Sequence, residues 1–302
     1  MRVAIAGSSG FIGSALVDSL TADGHQVVRL VRRPARTPDE VTWDVHQPAG
    51  GVAPASLGAV DAIVNLAGAG IGDKRWTDSY KRTLHDSHVA AARAAAELAV
   101  AAEPRPAVLV SVGAMGFYGL DNGGGPLTEE SPSGTDFAAG IIVDKEAAAQ
   151  AAAAAGVRVV LPRLALVMDA SGSTFGRRLL PLGKAGLLGP LAGGKSVWSV
   201  VSLPDVVRAL RFLLEQEDAT GPYNISAPEP TTNREFTRLL GKAIHRPTIA
   251  PVPKFALRIV LGDFADDVLG SFEVVPKRLT DAGFEFADGD ATAVIDRALA
   301  SA

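Results

Sequence analysis

Val3-Ala4-Ile5-Ala6-Gly7-Ser8-Ser9-Gly10-Phe11-Ile12-Gly13, near the start of the chain, has the pattern of a strand, a glycine turn and a helix start. The apolar run Val3–Ala6 has the length of a buried strand, and Phe11 to Ala22 is aliphatic enough for a helix. A strand, a tight turn and a helix N-terminus in that order present backbone N–H groups to a pyrophosphate. Gly7 permits the turn, Gly10 lets the backbone approach a phosphate, and Gly13 lets the helix pack on the strand. Since 32 glycines are scattered through the chain, the GxxGxxG spacing alone would be weak. Context strengthens it: Gly24 ends the helix and Gln26–Val31 supplies a second strand, which completes a βαβ unit. The phosphate contacts expected here are Gly7, Ser8, Ser9, Gly10, Phe11, Ile12 and Gly13.

Working outward, strand and helix signals alternate, as in a doubly wound parallel sheet. A short strand Val41–Asp44 is followed by a buried one, Asp61–Leu66, that runs out at Ala67-Gly68. Next come a helix from Thr77 to Ala102, a strand from Pro106 to Val112, a helix from Asp136 to Ala155 and a strand from Val157 to Leu161. The alanine tracts read as helix surface and close helix–sheet contact, alanine being the best helix former. Past Met168, glycine and proline punctuate Ser171 to Gly194, the profile of a long loop over a site. Helical pieces follow at Pro204–Glu217, Asn233–His245, Lys254–Leu261, Pro276–Ala282 and Ala291–Leu299. The expected division is a dinucleotide domain over 1–165 and a smaller α/β substrate lobe over 166–302, with some later segments returning to the first domain.

The strand ending at Val31 decides the cofactor. An acid there would bind a ribose 2′-hydroxyl, but the sequence continues Arg32-Arg33-Pro34. Two guanidiniums suit a 2′-phosphate, so NADP(H) is expected; the alternative is a pair of solvated loop charges. Asp44 either accepts from the adenine amino group or simply forms a turn. Leu66, Ala67 and Gly68 bring small groups to the edge of the cleft, and Asn65 either fixes the strand end or takes part in chemistry.

Bulk properties narrow the partners. The 302 residues are 47% hydrophobic and 21% charged, with a net charge of −4 and no cysteine. That balance argues against nucleic acid, and the missing cysteines remove disulfides and thiolate chemistry. Apolar runs are too short to cross a bilayer, so a cytoplasmic protein acting on a small molecule is expected, with room for a homodimer. His85 and His88 share a helix face, yet no carboxylate pattern completes a metal site.

Together these residues resemble an extended, epimerase-like short-chain dehydrogenase/reductase. Asn65–Gly68 followed by Ile71–Thr77 is similar to an atypical branch of that superfamily, some of whose members carry a cell-division-inhibitor label. Gly116-Phe117-Tyr118-Gly119, Leu127–Pro132, Gly221–Asn224, His245-Arg246-Pro247, Val252-Pro253 and Pro276–Phe284 carry the same likeness, so it spans nearly the whole chain. The resemblance implies a Rossmann-type sheet, bound NADP(H) and a terminal substrate lobe. It also implies cofactor contacts at Arg32, Leu66, Ala67, Glu146, Thr83 and His88, the last commonly an arginine in the branch.

In that superfamily a tyrosine four residues before a lysine normally shuttles the proton. Four residues beyond Tyr80, Tyr118 and Tyr223 stand Leu84, Asn122 and Ala227. Counting back from Glu146, the usual Tyr and Lys places hold Ala138 and Ile142. Lys145, where the branch usually has tryptophan, is turned about 100° from the lysine position and reads as solvated. Gly113 stands where an orienting serine or threonine belongs, which leaves Ser111 as a stand-in. Tyr118 either donates to a substrate oxygen or packs as an ordinary aromatic. Glu146 is either a base and ribose ligand or a surface charge, and Arg163 meets either a phosphate or a carboxylate. The readings that follow are an NADP(H)-dependent oxidoreductase, a nucleotide-sugar epimerase or dehydratase, and a non-catalytic NADP(H) sensor.

Overall fold

The computed structural model of the chain describes residues 1–248 and 251–301, apart from the side chain of Val260. Seven strands form the main sheet: β1 (Arg2–Ala6), β2 (Gln26–Val31), β3 (Glu40–Thr42), β4 (Ala62–Asn65), β5 (Val108–Ser111), β6 (Arg158–Leu164) and β7 (Gly221–Ile225). All pair in parallel, in the spatial order β3-β2-β1-β4-β5-β6-β7, and Gly113–Ala114 adds a short eighth strand on β6. This is the Rossmann-type order with one further strand at the edge. The order reverses between β1 and β4, and the crevice beyond their carboxyl ends is where such sheets bind ligands.

Helices cover both faces. α1 (Phe11–Ala22) and, late in the chain, Leu203–Glu215 bury Leu16, Leu20, Val206, Leu210 and Leu213 against one face. On the other face lies α2 (Asp78–Ala101), whose alanines 91, 92, 94–96 and 99 are buried beside Ile63 and Leu109. Alanine's small side chain lets this helix lie close to the sheet. α3 (Phe137–Gln150) packs beside α2. The helix expected as far as Ala155 tightens to a 3-10 turn at Ala151–Ala155 and stops at Gly156, whose φ of 83° is left-handed.

The later part of the chain is interleaved with the earlier. Leu203–Glu215 and β7 join the main sheet, while Pro126–Leu127 pairs in parallel with Glu273–Val274. Leu166–Met168 pairs with Val200–Ser202, and Val197–Trp198 with Thr231–Thr232. These segments enclose a separate apolar cluster that includes Phe175, Trp198, Phe236, Leu240 and Val294. The stretch expected as an open loop from Ser171 to Gly194 contains helical turns at Phe175–Leu179 and Leu180–Lys184, because Phe175 and Leu180 bury themselves in that cluster. No helix among the described residues is long and apolar enough to cross a membrane.

Candidate functional site

The crevice begins at the glycine turn. Gly7 has a φ of 80°, and a Cβ there would lie 2.8 Å from the carbonyl carbon of Leu66. A Cβ on Gly13 would run into the Gly7 carbonyl oxygen, so the helix can start this close to β1 only with glycine at that position. Gly10 is the N-cap of α1; no side chain caps the helix and no acid stands in its first turn. The opening amides therefore remain available to an anion. Ser8 is buried, whereas Ser9 and Gly10 are exposed. Ile12 is half-buried, as is Phe11, whose ring lies against Gly172, where a Cβ would come within 2.6 Å. The segment after Met168 thus crosses above the turn.

At the exit of β2 the two arginines part company. Arg33 makes a bidentate pair with Glu40 at 2.7 and 2.6 Å, and this guanidinium holds the Glu40 carboxyl down at about 2. Arg32 is exposed and has no hydrogen-bond or ion-pair partner among the described residues. Asp44 accepts from the His46 amide at 3.0 Å and from Gln47 Nε2 at 3.2 Å, so its oxygens close a turn and its pKa is lowered by the His46 hydrogen bond. The adenine role expected as one option for Asp44 competes with that turn.

Beyond β4 the chain forms a shelf that is held carbonyl by carbonyl. The Leu66 amide donates to Ala6 O at 2.9 Å, and the Ala67 amide to Asn65 Oδ1 at 3.1 Å, which gives Asn65 the strand-end role. His88 Nε2 bonds Ala69 O at 3.0 Å, Tyr80 OH donates to Gly70 O at 2.6 Å, and Trp76 Nε1 to Ile71 O at 2.9 Å. Ser87 Oγ accepts from the Ala69 amide at 3.0 Å. Trp76 in turn stacks on Phe264 at 5.2 Å and meets Phe137 edge-on at 5.4 Å. The sequence stretch around Asp73–Thr77 stood out by resemblance, but nothing in it announced these three donors.

His88 lies flat on Gly68, where a Cβ would strike its ring. Because a carbonyl only accepts, His88 carries its proton on Nε2 and its Nδ1 accepts from Lys145 Nζ at 3.4 Å. Burial, then the Lys145 charge, push His88 down to about 4, and burial pushes Lys145 down to about 8. Lys145 is 3% exposed, which overturns the expectation of a solvated lysine. Its position on α3 turns it toward α2, while Glu146, one residue on, faces β6. Thr83 is exposed, and its hydroxyl donates to Ser79 O within its own helix at 3.1 Å.

Two of the residues expected to carry chemistry, Tyr118 and Glu146, meet in one network around Arg163, and Ser111 stands outside it. Arg163 donates to both Glu146 oxygens at 2.8 Å, with its guanidinium 3.3 Å from the centre of the Phe117 ring. Tyr118 is fully buried; its hydroxyl donates to Asn224 Oδ1 at 2.7 Å and accepts from Arg163 Nη1 at 3.2 Å. Burial pushes the Tyr118 pKa up, against the nearby Arg163 charge. Glu129 extends the network by accepting from the amides of Asn224 at 2.9 Å and Arg278 at 3.2 Å. The Tyr118 hydroxyl is therefore packed but bonded to Asn224, not solvated, and the Arg163 guanidinium is bonded to a carboxylate. Ser111 is buried and accepts from Asn65 Nδ2 at 3.3 Å. Ala138 and Ile142 stand in an apolar cluster with Trp76 and Leu84, and Ile142 Cγ2 lies 3.3 Å from the Cβ position of Gly113. Among the described residues no group of three or more His, Asp or Glu side chains is placed to hold a metal ion.

Comparison with known proteins agrees with this geometry. Residues 3–226 match the model of the NAD dependent epimerase/dehydratase family, and residues 252–298 match a domain of unknown function, DUF1731. An epimerase family protein of Mycobacterium bovis is 40% identical over 285 residues, covering 94% of this chain and 93% of that protein. A Staphylococcus aureus epimerase family protein is 30% identical, with 93% of each chain covered. Among solved structures, human epimerase family protein SDR39U1 with NADPH superposes with a TM-score of 0.88 at 29% identity, covering 99% of both chains. The chain belongs to the NAD dependent epimerase/dehydratase family, short-chain dehydrogenase/reductase-like, with the DUF1731 segment as its C-terminal part.

Proposed function

We propose that this chain is an NADP(H)-dependent oxidoreductase acting on a small molecule. The carrying observation is the unpaired Arg32 guanidinium at the exit of β2, beside an Arg33 already neutralised by Glu40. One free guanidinium with no competing acid is the arrangement that favours a 2′-phosphate over a 2′-hydroxyl. The turn suits a diphosphate: Gly7 and Gly13, where a Cβ would clash with neighbouring backbone, let α1 begin close against β1, and the first turn of α1 is uncapped. The amides of α1 would hold the diphosphate, Arg32 the 2′-phosphate, and the pinned shelf Leu66–Ile71 would flank the cofactor, whose chemistry is hydride transfer. A neighbouring structure that carries NADPH supports the choice of cofactor. Fluorescence titration of the purified protein should show saturable NADPH binding, tighter than NADH; no binding of either would overturn the reading.

A second reading is favoured by the committed state of the polar groups. Tyr118 and Glu146 are both engaged with buried partners, and Ala138 and Ile142, which the count back from Glu146 puts at the usual Tyr and Lys places, lie in an apolar cluster. A non-catalytic NADP(H) sensor would bind the cofactor tightly and turn over none of a broad carbonyl panel. Steady NADPH oxidation with any member of that panel excludes it.

A further inference from the structure

Among the described residues Lys145 is a buried charge without a counter-ion. Its side chain is 3% exposed, and the one hydrogen-bond partner of its ammonium is the neutral His88 imidazole at 3.4 Å. Two further N–H donors have no protein acceptor among the described residues. The adjacent carboxylates are engaged elsewhere: both Glu146 oxygens bond Arg163, and Asp144, on the exposed side of the helix, bonds His85 Nε2 at 2.8 Å. The Glu146 charge favours the protonated form, and burial outweighs it. A desolvated ammonium with unfilled donors is costly for the folded chain, and an arriving acceptor would offset that cost. The position indicates where that acceptor would come from. His88, which holds the ammonium, lies on exposed Gly68, so one imidazole separates Lys145 from the edge of the crevice.

Building on the cofactor reading above, we propose that Lys145, one imidazole behind the crevice edge, is a cation site that takes an oxyanion, a phosphate or carboxylate group, of a bound ligand once the His88 ring turns aside. The oxyanion belongs either to the dinucleotide itself or to the second substrate. A ligand-binding charge of this kind is retained at the expense of stability, which gives it a signature that a purely structural lysine lacks.

The test compares the wild type with Lys145→Met and Lys145→Gln. Methionine matches the lysine stem in length and removes the charge; glutamine keeps a donor for His88 Nδ1 without the charge. In the ligand-free state Lys145→Met should melt a few degrees higher than the wild type. NADPH is then titrated by fluorescence, and inorganic phosphate and acetate are titrated by thermal shift onto the NADPH-saturated protein. If the dinucleotide supplies the oxyanion, both variants lose at least tenfold in NADPH affinity. If the second substrate supplies it, NADPH affinity holds and the anion-induced shift seen in the wild type disappears from both variants. The proposal is overturned if Lys145→Met melts below the wild type, if Lys145→Gln binds like the wild type throughout, or if neither titration changes. Failure of the wild type to bind NADPH would sink the cofactor reading instead, and the melting and anion comparisons would still judge Lys145.

Discussion

Arg32 and Arg33 are neighbours of one residue type, and their surroundings give them different work. Glu40 takes both forks of Arg33, so that side chain braces β3 against β2, while Arg32 stays open to a ligand. Arg32→Gln should therefore weaken NADPH binding by about tenfold to a hundredfold, on the order of 1.5–3 kcal/mol for a lost charge-assisted contact, and leave NADH binding unchanged. Paired Kd measurements for the two cofactors check this, and equal losses for both would refute it. Tyr118 and Lys145 show the limit of residue-level reading. Each is polar and close in sequence to a motif, but hydrogen-bond partners distant in the chain decide its role: Asn224 for Tyr118 and His88 for Lys145.

At the scale of elements, α3 is shared between two environments. One face meets α2 through the pairs His85–Asp144 and His88–Lys145, and the other reaches β6 through Glu146 and Arg163. The Glu146–Arg163 pair has side chains only 12% and 4% exposed, so breaking it strands a buried guanidinium. Glu146→Gln should destabilise the protein by about 3 kcal/mol, and Arg163→Met combined with Glu146→Leu should recover most of that. Denaturant unfolding of both variants decides the point; a double variant no better than the single would show that the pair stabilises by more than mutual neutralisation. The boundaries of these elements were largely legible in advance. Gln26–Val31 and Lys254–Leu261 form where periodicity and flanking residues place them, and α2 loses one residue at each end. The helical turns after Ser173 were not legible, because glycine and proline mask an apolar face whose partners, Trp198 and Phe236, lie later in the chain.

The whole molecule joins its late segments to its early ones through buried polar groups, and this makes its stability respond to pH. Asp267, between Asp136 and Asp266, is pushed up to about 7, chiefly by burial and then by those two carboxylates. An acid whose folded pKa is raised is favoured in its protonated form. Its cost is absent below the ordinary Asp pKa near 3.8 and grows as pH rises to about 7. Asp267→Asn should accordingly raise the melting temperature at pH 8 by several degrees, corresponding to roughly 2 kcal/mol, and change it little near pH 4. Melting curves at the two pH values test this, and an equal shift at both would contradict it. His88 acts in the opposite sense: its pKa is lowered to about 4, so the stability of its neutral form is lost as pH falls from the ordinary histidine value toward 4.

The amino-acid order alone determined the βαβ opening and the parallel sheet, because glycine spacing and apolar periodicity are local patterns, and a missing acid at a strand end led to the cofactor proposal. Which polar side chains face the crevice was decided only by the tertiary structure. Burial and pairing join residues as far apart as Tyr118 and Asn224, or His88 and Lys145, and a one-residue step around α3 sends neighbouring charges to opposite environments.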